Sequence, residues 1–213
     1  MAKYKDHPWK ERHYTIEPHP YGEFIPTDTE FLMIGSFPSK GEKYFDFFYG
    51  SKVNQLWNIL SVVFGHNFKK PTGKAAEKER GNFLETRGIG MTDMLEKCYR
   101  YQNKSGDENL YPIIFRDIFE ILERRPKIRR LIFTGRYYII GPLGLFITFL
   151  QQHGQELDDL TNDGSGLLSG TWHYKPGRSI NIMVPISPSP RAAEYSELSF
   201  DDLVKMYKKC FGR

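Results

Sequence analysis

The chain has almost no cysteine. Two in 213 residues, Cys98 and Cys210, cannot build a disulfide framework or a four-cysteine iron–sulfur cluster, and they read as buried thiols of a protein kept in a reducing cytoplasm. Long hydrophobic runs are missing as well. No stretch is apolar enough to span a bilayer, and the opening MAKYKDHPWKERHY carries no apolar signal core. No internal repeat or low-complexity tract is present, and no lysine stands at the Walker spacing that a phosphate-cradling P-loop needs. Charge of one sign is not strongly in excess. A net charge of +4 suits a polyanionic partner without requiring one.

What the chain does have is aromatic side chains, 15% of its residues, and these need a packing role or a stacking role. Residues 1–28 are rich in Pro, His and aromatics without periodicity, and are expected to form an irregular arm on a single domain spanning 29–213. Apolar runs predict strands at Glu30–Ser36, Ile89–Met94, Arg130–Thr134 and Ile180–Ile186. Helical spacing predicts helices over Asn54–Phe64, Lys69–Arg87, Ile114–Arg125, Tyr137–Gln152 and Ser196–Phe211. Arg100–Asn109 reads as a polar loop, and residues 153–179, rich in Gly, Asp and Ser, as a hairpin. Strands alternating with helices predict an α/β fold: a three-layer α/β/α sandwich around a central four-stranded, mostly parallel sheet.

Three segments carry candidate chemistry. Gly35-Ser36-Phe37-Pro38-Ser39 ends the first strand in a tight turn; such a turn fits either a plain connection or a close backbone approach to a ligand. Phe47-Phe48-Tyr49 precedes Asn54-Gln55-Leu56-Trp57. Three consecutive loop aromatics can offer a flat face to a base, and Asn54 either caps the helix or uses its amide on a water or a polar edge. Ser187-Pro188-Ser189-Pro190-Arg191 follows the last strand, either as a rigid surface turn or as a clamp on a phosphate backbone. In open α/β sheets ligands bind where strands end in this way.

Taken in order, these segments resemble the uracil-DNA glycosylase superfamily, and within it the mismatch-specific and hypoxanthine branches. Gly88-Ile89-Gly90-Met91-Thr92-Asp93-Met94 and Ile128–Gly135 resemble the same branch, and the likeness runs from about Glu30 to Phe211, with residues 153–179 outside it. The resemblance implies hydrolysis of the N-glycosidic bond of a flipped, deaminated base, uracil or hypoxanthine, in base-excision repair. The enzyme would be monofunctional, without metal or cofactor, acting on duplex or single-stranded DNA with no membrane partner, and is expected to be a monomer in the cytoplasm.

Many members carry Asp or Asn where this chain has Phe37, and His where it has Ser187. The resemblance therefore gives the water-positioning role to Asn54 and the leaving-group contact to Ser187. It gives stacking to Tyr49 or the adjacent Phe48, the pocket wall to Gly35, Ser36 and Phe37, the phosphate clamp to Ser39 and Ser189, and the duplex wedge to Arg191. Two other readings stay open at this point: a damaged-DNA-binding protein that has lost catalysis, and an enzyme acting on free nucleosides or nucleotides.

Overall fold

The computed structural model describes residues 13–136 and 139–213. Four strands run parallel: β2 (Phe31–Gly35), β3 (Ile89–Asp93), β6 (Arg130–Phe133) and β9 (Arg178–Val184). They match the four strands expected from the apolar runs to within a few residues at each end. The sheet is nevertheless six-stranded and mixed, in the order β3-β2-β6-β9-β8-β7. The expected hairpin over 153–179 supplies β7 (Thr161–Asn162) and β8 (Leu168–Lys175), antiparallel beside β9, and so corrects the four-stranded count.

Side chains of β2 alternate between the faces of this sheet. Leu32 and Ile34 enter one apolar cluster with α3 (Ile118–Arg124) and α4 (Pro142–Gln152). Phe31 and Met33 enter the other, with α1 (Leu56–Phe64), α2 (Gly73–Thr86) and α6 (Phe200–Cys210). The result is the expected three-layer sandwich. Both thiols lie buried and unbridged in it.

A second sheet was not expected. β1 (Tyr14–Pro18), β4 (Leu95–Tyr101) and β5 (Leu110–Phe115) pair antiparallel in the order β1-β4-β5. The chain leaves β3 at Asp93 and enters β4 two residues later. Met94 and Leu95 donate backbone bonds to Gly35 and Ser36, which ties the two sheets at the end of β2. Part of the expected irregular arm is therefore a strand, and its residues 1–12 lie outside the described residues. Ile114 and Phe115, read as the start of a helix, belong to β5. Helix α3 starts at Ile118, where Asp117 accepts the backbone N–H of Glu120 at 2.9 Å as an N-cap. Tyr137, the expected start of α4, lies outside the described residues; the helix begins at Pro142, whose missing N–H is harmless in a first turn. The last predicted helix divides into α5 (Pro190–Ser196) and α6, and α6 opens on a capping box between Ser199 and Asp202.

Candidate functional site

The four parallel strands end on one side of the sheet, and the segments singled out in the sequence leave from those ends. Gly35 and Asp93 are direct cross-strand neighbours at the ends of β2 and β3. A Cβ placed on Gly35 would lie 2.1 Å from Asp93 Oδ1 and 2.9 Å from Tyr49 Oη. Position 35 is glycine because a carboxylate and a phenol already occupy the space a side chain would take.

Tyr49 arrives there on a loop with φ +53°, a left-handed conformation unusual for a bulky residue. The loop is pinned where Trp57 Nε1–H donates to the Phe48 carbonyl at 3.0 Å. Thr134, just past β6, donates its hydroxyl to the Ile34 carbonyl at 3.3 Å, which leaves its oxygen to accept from Tyr49 Oη at 2.7 Å. Burial, followed by the charges of Asp93 and Asp107, holds the Tyr49 phenol well above its ordinary pKa, so it stays neutral.

The arm closes the floor of the site. His19 Nε2 meets Asp93 Oδ2 at 2.8 Å, and both side chains are almost wholly buried. The Tyr21 backbone N–H points at His19 Nδ1 from 3.3 Å, which makes Nδ1 the acceptor and leaves Nε2–H to donate to the carboxylate. The imidazole also lies 5.5 Å from the Phe37 ring and 5.8 Å from the Phe48 ring, between the two aromatic segments.

Ser36 Oγ donates to Asp107 Oδ1 at 2.5 Å, from the end of β2 to the short 3-10 turn Asp107–Asn109 between β4 and β5. Burial pushes the Asp107 carboxyl up to about 6; the Ser36 bond and Arg100 oppose the shift, and the charges of Asp93 and Glu108 reinforce it. Arg100 is fully buried and acts as a clip. Its Nε bonds Glu17 Oε2 at 3.0 Å, one terminal nitrogen bonds the Lys104 carbonyl at 2.8 Å and the other the Pro38 carbonyl at 2.7 Å. One guanidinium thus fixes β1, the approach to Asp107 and the first turn together.

The late Ser-Pro turn joins the same rim. The Gln55 backbone N–H donates to the Pro188 carbonyl at 3.0 Å, and this bond seats the start of α1 against the turn after β9. Ser187 Oγ accepts the Ser189 N–H at 3.3 Å, and Ser189 Oγ accepts the Ala192 N–H at 3.3 Å as α5 begins. Arg191 is exposed, and its guanidinium stands 3.9 Å from Glu108 Oε1, opposite the turn that carries Asp107.

The structure therefore brings together Gly35, Ser36, Tyr49, Asn54, Ser187, Ser189 and Arg191. Asn54 stands one residue ahead of the N-cap Gln55: its Oδ1 accepts the Leu56 N–H at 2.9 Å, and its amide nitrogen has no partner among the described residues. The Phe37 and Phe48 rings are buried in the two apolar clusters, so neither offers an open face, and Tyr49 is the aromatic left at the crevice. Ser39 is exposed just beyond the turn. Sequence reasoning missed His19, Thr134 and Asp107. Asp93 lay within a quoted segment without a role, although a carboxylate directly after a buried strand was a usable signal. Among the described residues no group of three or more His, Cys, Asp and Glu is placed to hold a metal, and no helix is long and apolar enough to cross a membrane.

Loops gathered in this way at the carboxyl ends of a parallel sheet belong to an α/β protein of the uracil-DNA glycosylase fold. A Methanosarcina acetivorans protein solved by solution NMR, and provisionally described as a uracil DNA glycosylase, superposes with a TM-score of 0.53 at 21% identity; the match covers 92% of this chain and 97% of that one. The hypoxanthine DNA glycosylase of the same organism is 30% identical over 115 residues, 53% of this chain and 67% of the relative. No family model matches the chain. The protein belongs to the uracil-DNA glycosylase superfamily, on its hypoxanthine branch.

Proposed function

We propose that this protein is a monofunctional DNA glycosylase that hydrolyses the N-glycosidic bond of a deaminated base, hypoxanthine or uracil, in DNA, as a step of base-excision repair in the cytoplasm. The observation that carries the reading is the Gln55 N–H to Pro188 carbonyl bond, which sets two distant segments side by side. The floor of the site is the Gly35–Asp93 contact.

In this reading the extruded base enters beside the end of β2, above the Asp93 carboxylate and the Tyr49 phenol that fill the space over Gly35, and packs against Tyr49. Asn54, its carbonyl locked by the Leu56 N–H, holds the water. Ser187 donates to the departing base, while Ser39, Ser189 and Arg191 take phosphates, with Arg191 also filling the gap in the duplex. Phe48, whose carbonyl holds Trp57 Nε1–H, anchors the loop that carries Tyr49, and Phe37 shapes the wall from within the core. Cleavage builds positive charge on the sugar and negative charge on the base. Groups held rigid before the reaction stabilise those charges without reorganisation.

The test is release of base from duplexes carrying inosine or deoxyuridine, scored as strand breakage after alkali. Asn54→Ala should slow release by ~10²-fold or more. A protein that binds these duplexes and cleaves neither, or an Asn54→Ala variant as fast as the parent, would overturn the assignment.

A further inference from the structure

Position 37 in the turn after β2 holds a phenyl ring, and a carboxylate reaches the same turn from another part of the chain. Asp107 lies against Ser36, the residue next to Gly35 at the pocket turn, with Ser36 Oγ 2.5 Å from Asp107 Oδ1. The other oxygen, Oδ2, has no partner among the described residues. Asp93 Oδ1 packs against Gly35, and the other polar groups at the floor are committed elsewhere. Asp93 Oδ2 is taken by His19, His19 Nδ1 by the Tyr21 N–H, and the Asn54 carbonyl by the Leu56 N–H.

We infer that Asp107 is the general base of this site, accepting the proton of the attacking water at Oδ2 while Ser36 fixes its orientation through Oδ1. The inference rests on the glycosylase reading above. In the step, the water oxygen bonds to C1′ of the deoxyribose, and the C1′–N bond breaks with its electron pair leaving on the base. The water proton passes to Asp107 and from there to solvent, and the base anion takes up a proton from solvent. The products are free base and an abasic sugar.

The groups facing Asp107 are Ser36 from the end of β2, Asp93 from β3, Arg100 from β4, Tyr49 from the aromatic loop and Glu108 on its own turn. Burial first, then the negative neighbours, raise its pKa to about 6 against the opposing Ser36 bond and Arg100. Such a group is ionised at neutral pH and still basic enough to receive a proton.

The experiment is single-turnover release of hypoxanthine from an inosine duplex across pH, for the full chain and for Asp107→Asn. The parent should show an acid limb near pH 6. Asp107→Asn should lose that limb and slow by about 100-fold or more, with duplex affinity within about twofold of the parent. Should Asp107→Asn fail to fold, Ser36→Ala supplies the readout. It keeps the carboxyl, removes a bond that favours its ionised form, and should move the acid limb to higher pH. A parent that cleaves while Asp107→Asn cleaves equally fast with the limb intact overturns this inference alone, as does an unmoved limb in Ser36→Ala. A parent inert on every lesion overturns the glycosylase reading and this step with it.

Discussion

Replacing Gly35 by alanine adds one methyl group at the point where β2 and β3 end side by side. That methyl would sit 2.1 Å from Asp93 Oδ1 and 2.9 Å from Tyr49 Oη, so the carboxylate must move. It cannot move freely, because its other oxygen holds His19 at 2.8 Å in a nearly dry environment. The cost has two parts: overpacking at about 1–3 kcal/mol, and weakening of a charge-assisted bond at about 1.5–3 kcal/mol. A total of about 2.5–6 kcal/mol corresponds to a Tm lower by roughly 5–24 °C for a chain of this size. Thermal unfolding by circular dichroism reads it. The cause is isolated by adding Asp93→Ala. With the carboxylate gone the methyl group has room, so the penalty of Gly35→Ala should shrink by at least about 1 kcal/mol in that background. A Tm for Gly35→Ala within about 2 °C of the parent, or strict additivity in the double variant, would refute the account of why position 35 is glycine.

Three further outcomes follow from the same geometry. Arg100→Met should destabilise by about 3–5 kcal/mol, since Glu17 and two carbonyls lose a buried partner; urea unfolding measures it, and a loss under about 1 kcal/mol would remove the clip. Asp107 is more acidic unfolded than folded, so the folded state binds the extra proton between about pH 4 and pH 6, and stability from this group falls as pH rises through that window. Asp107→Asn should therefore be more stable than the parent at about pH 7 by about 1–3 kcal/mol, and equal to it near pH 4; a pH-independent difference in urea midpoints would contradict the raised carboxyl. Arg191→Ala should reduce the slope of log affinity for duplex against log salt by about one, measured by fluorescence anisotropy, and an unchanged slope would take Arg191 off the phosphate contacts.

Strands β2, β3 and β6 were legible as nearly continuous buried apolar runs, and β9 by alternation, with Ile180, Ile182 and Val184 buried between exposed Ser179 and Asn181. Helix α1 was legible from Leu56, Ile59, Leu60 and Val63, all of which are buried. The small sheet was not. Its strands carry polar and aromatic side chains, as in Leu95–Tyr101, and Ile114 and Phe115 stand at helical spacing from Ile118, Ile121 and Leu122 across the polar pair Arg116-Asp117. Of the site, Gly35, Ser36, Asn54 and Ser187 could be found because each sits in a local motif at an element end. His19 and Asp107 could not, because their partners Asp93 and Ser36 are 74 and 71 residues away in the chain and nothing local encodes the meeting.

The seam between Gln55 and Pro188 is made wholly of main-chain atoms. It does not depend on the identity of either side chain, apart from a proline at 55, which would delete the donor. The side chains on both segments can therefore change while the two segments stay stitched at the same point.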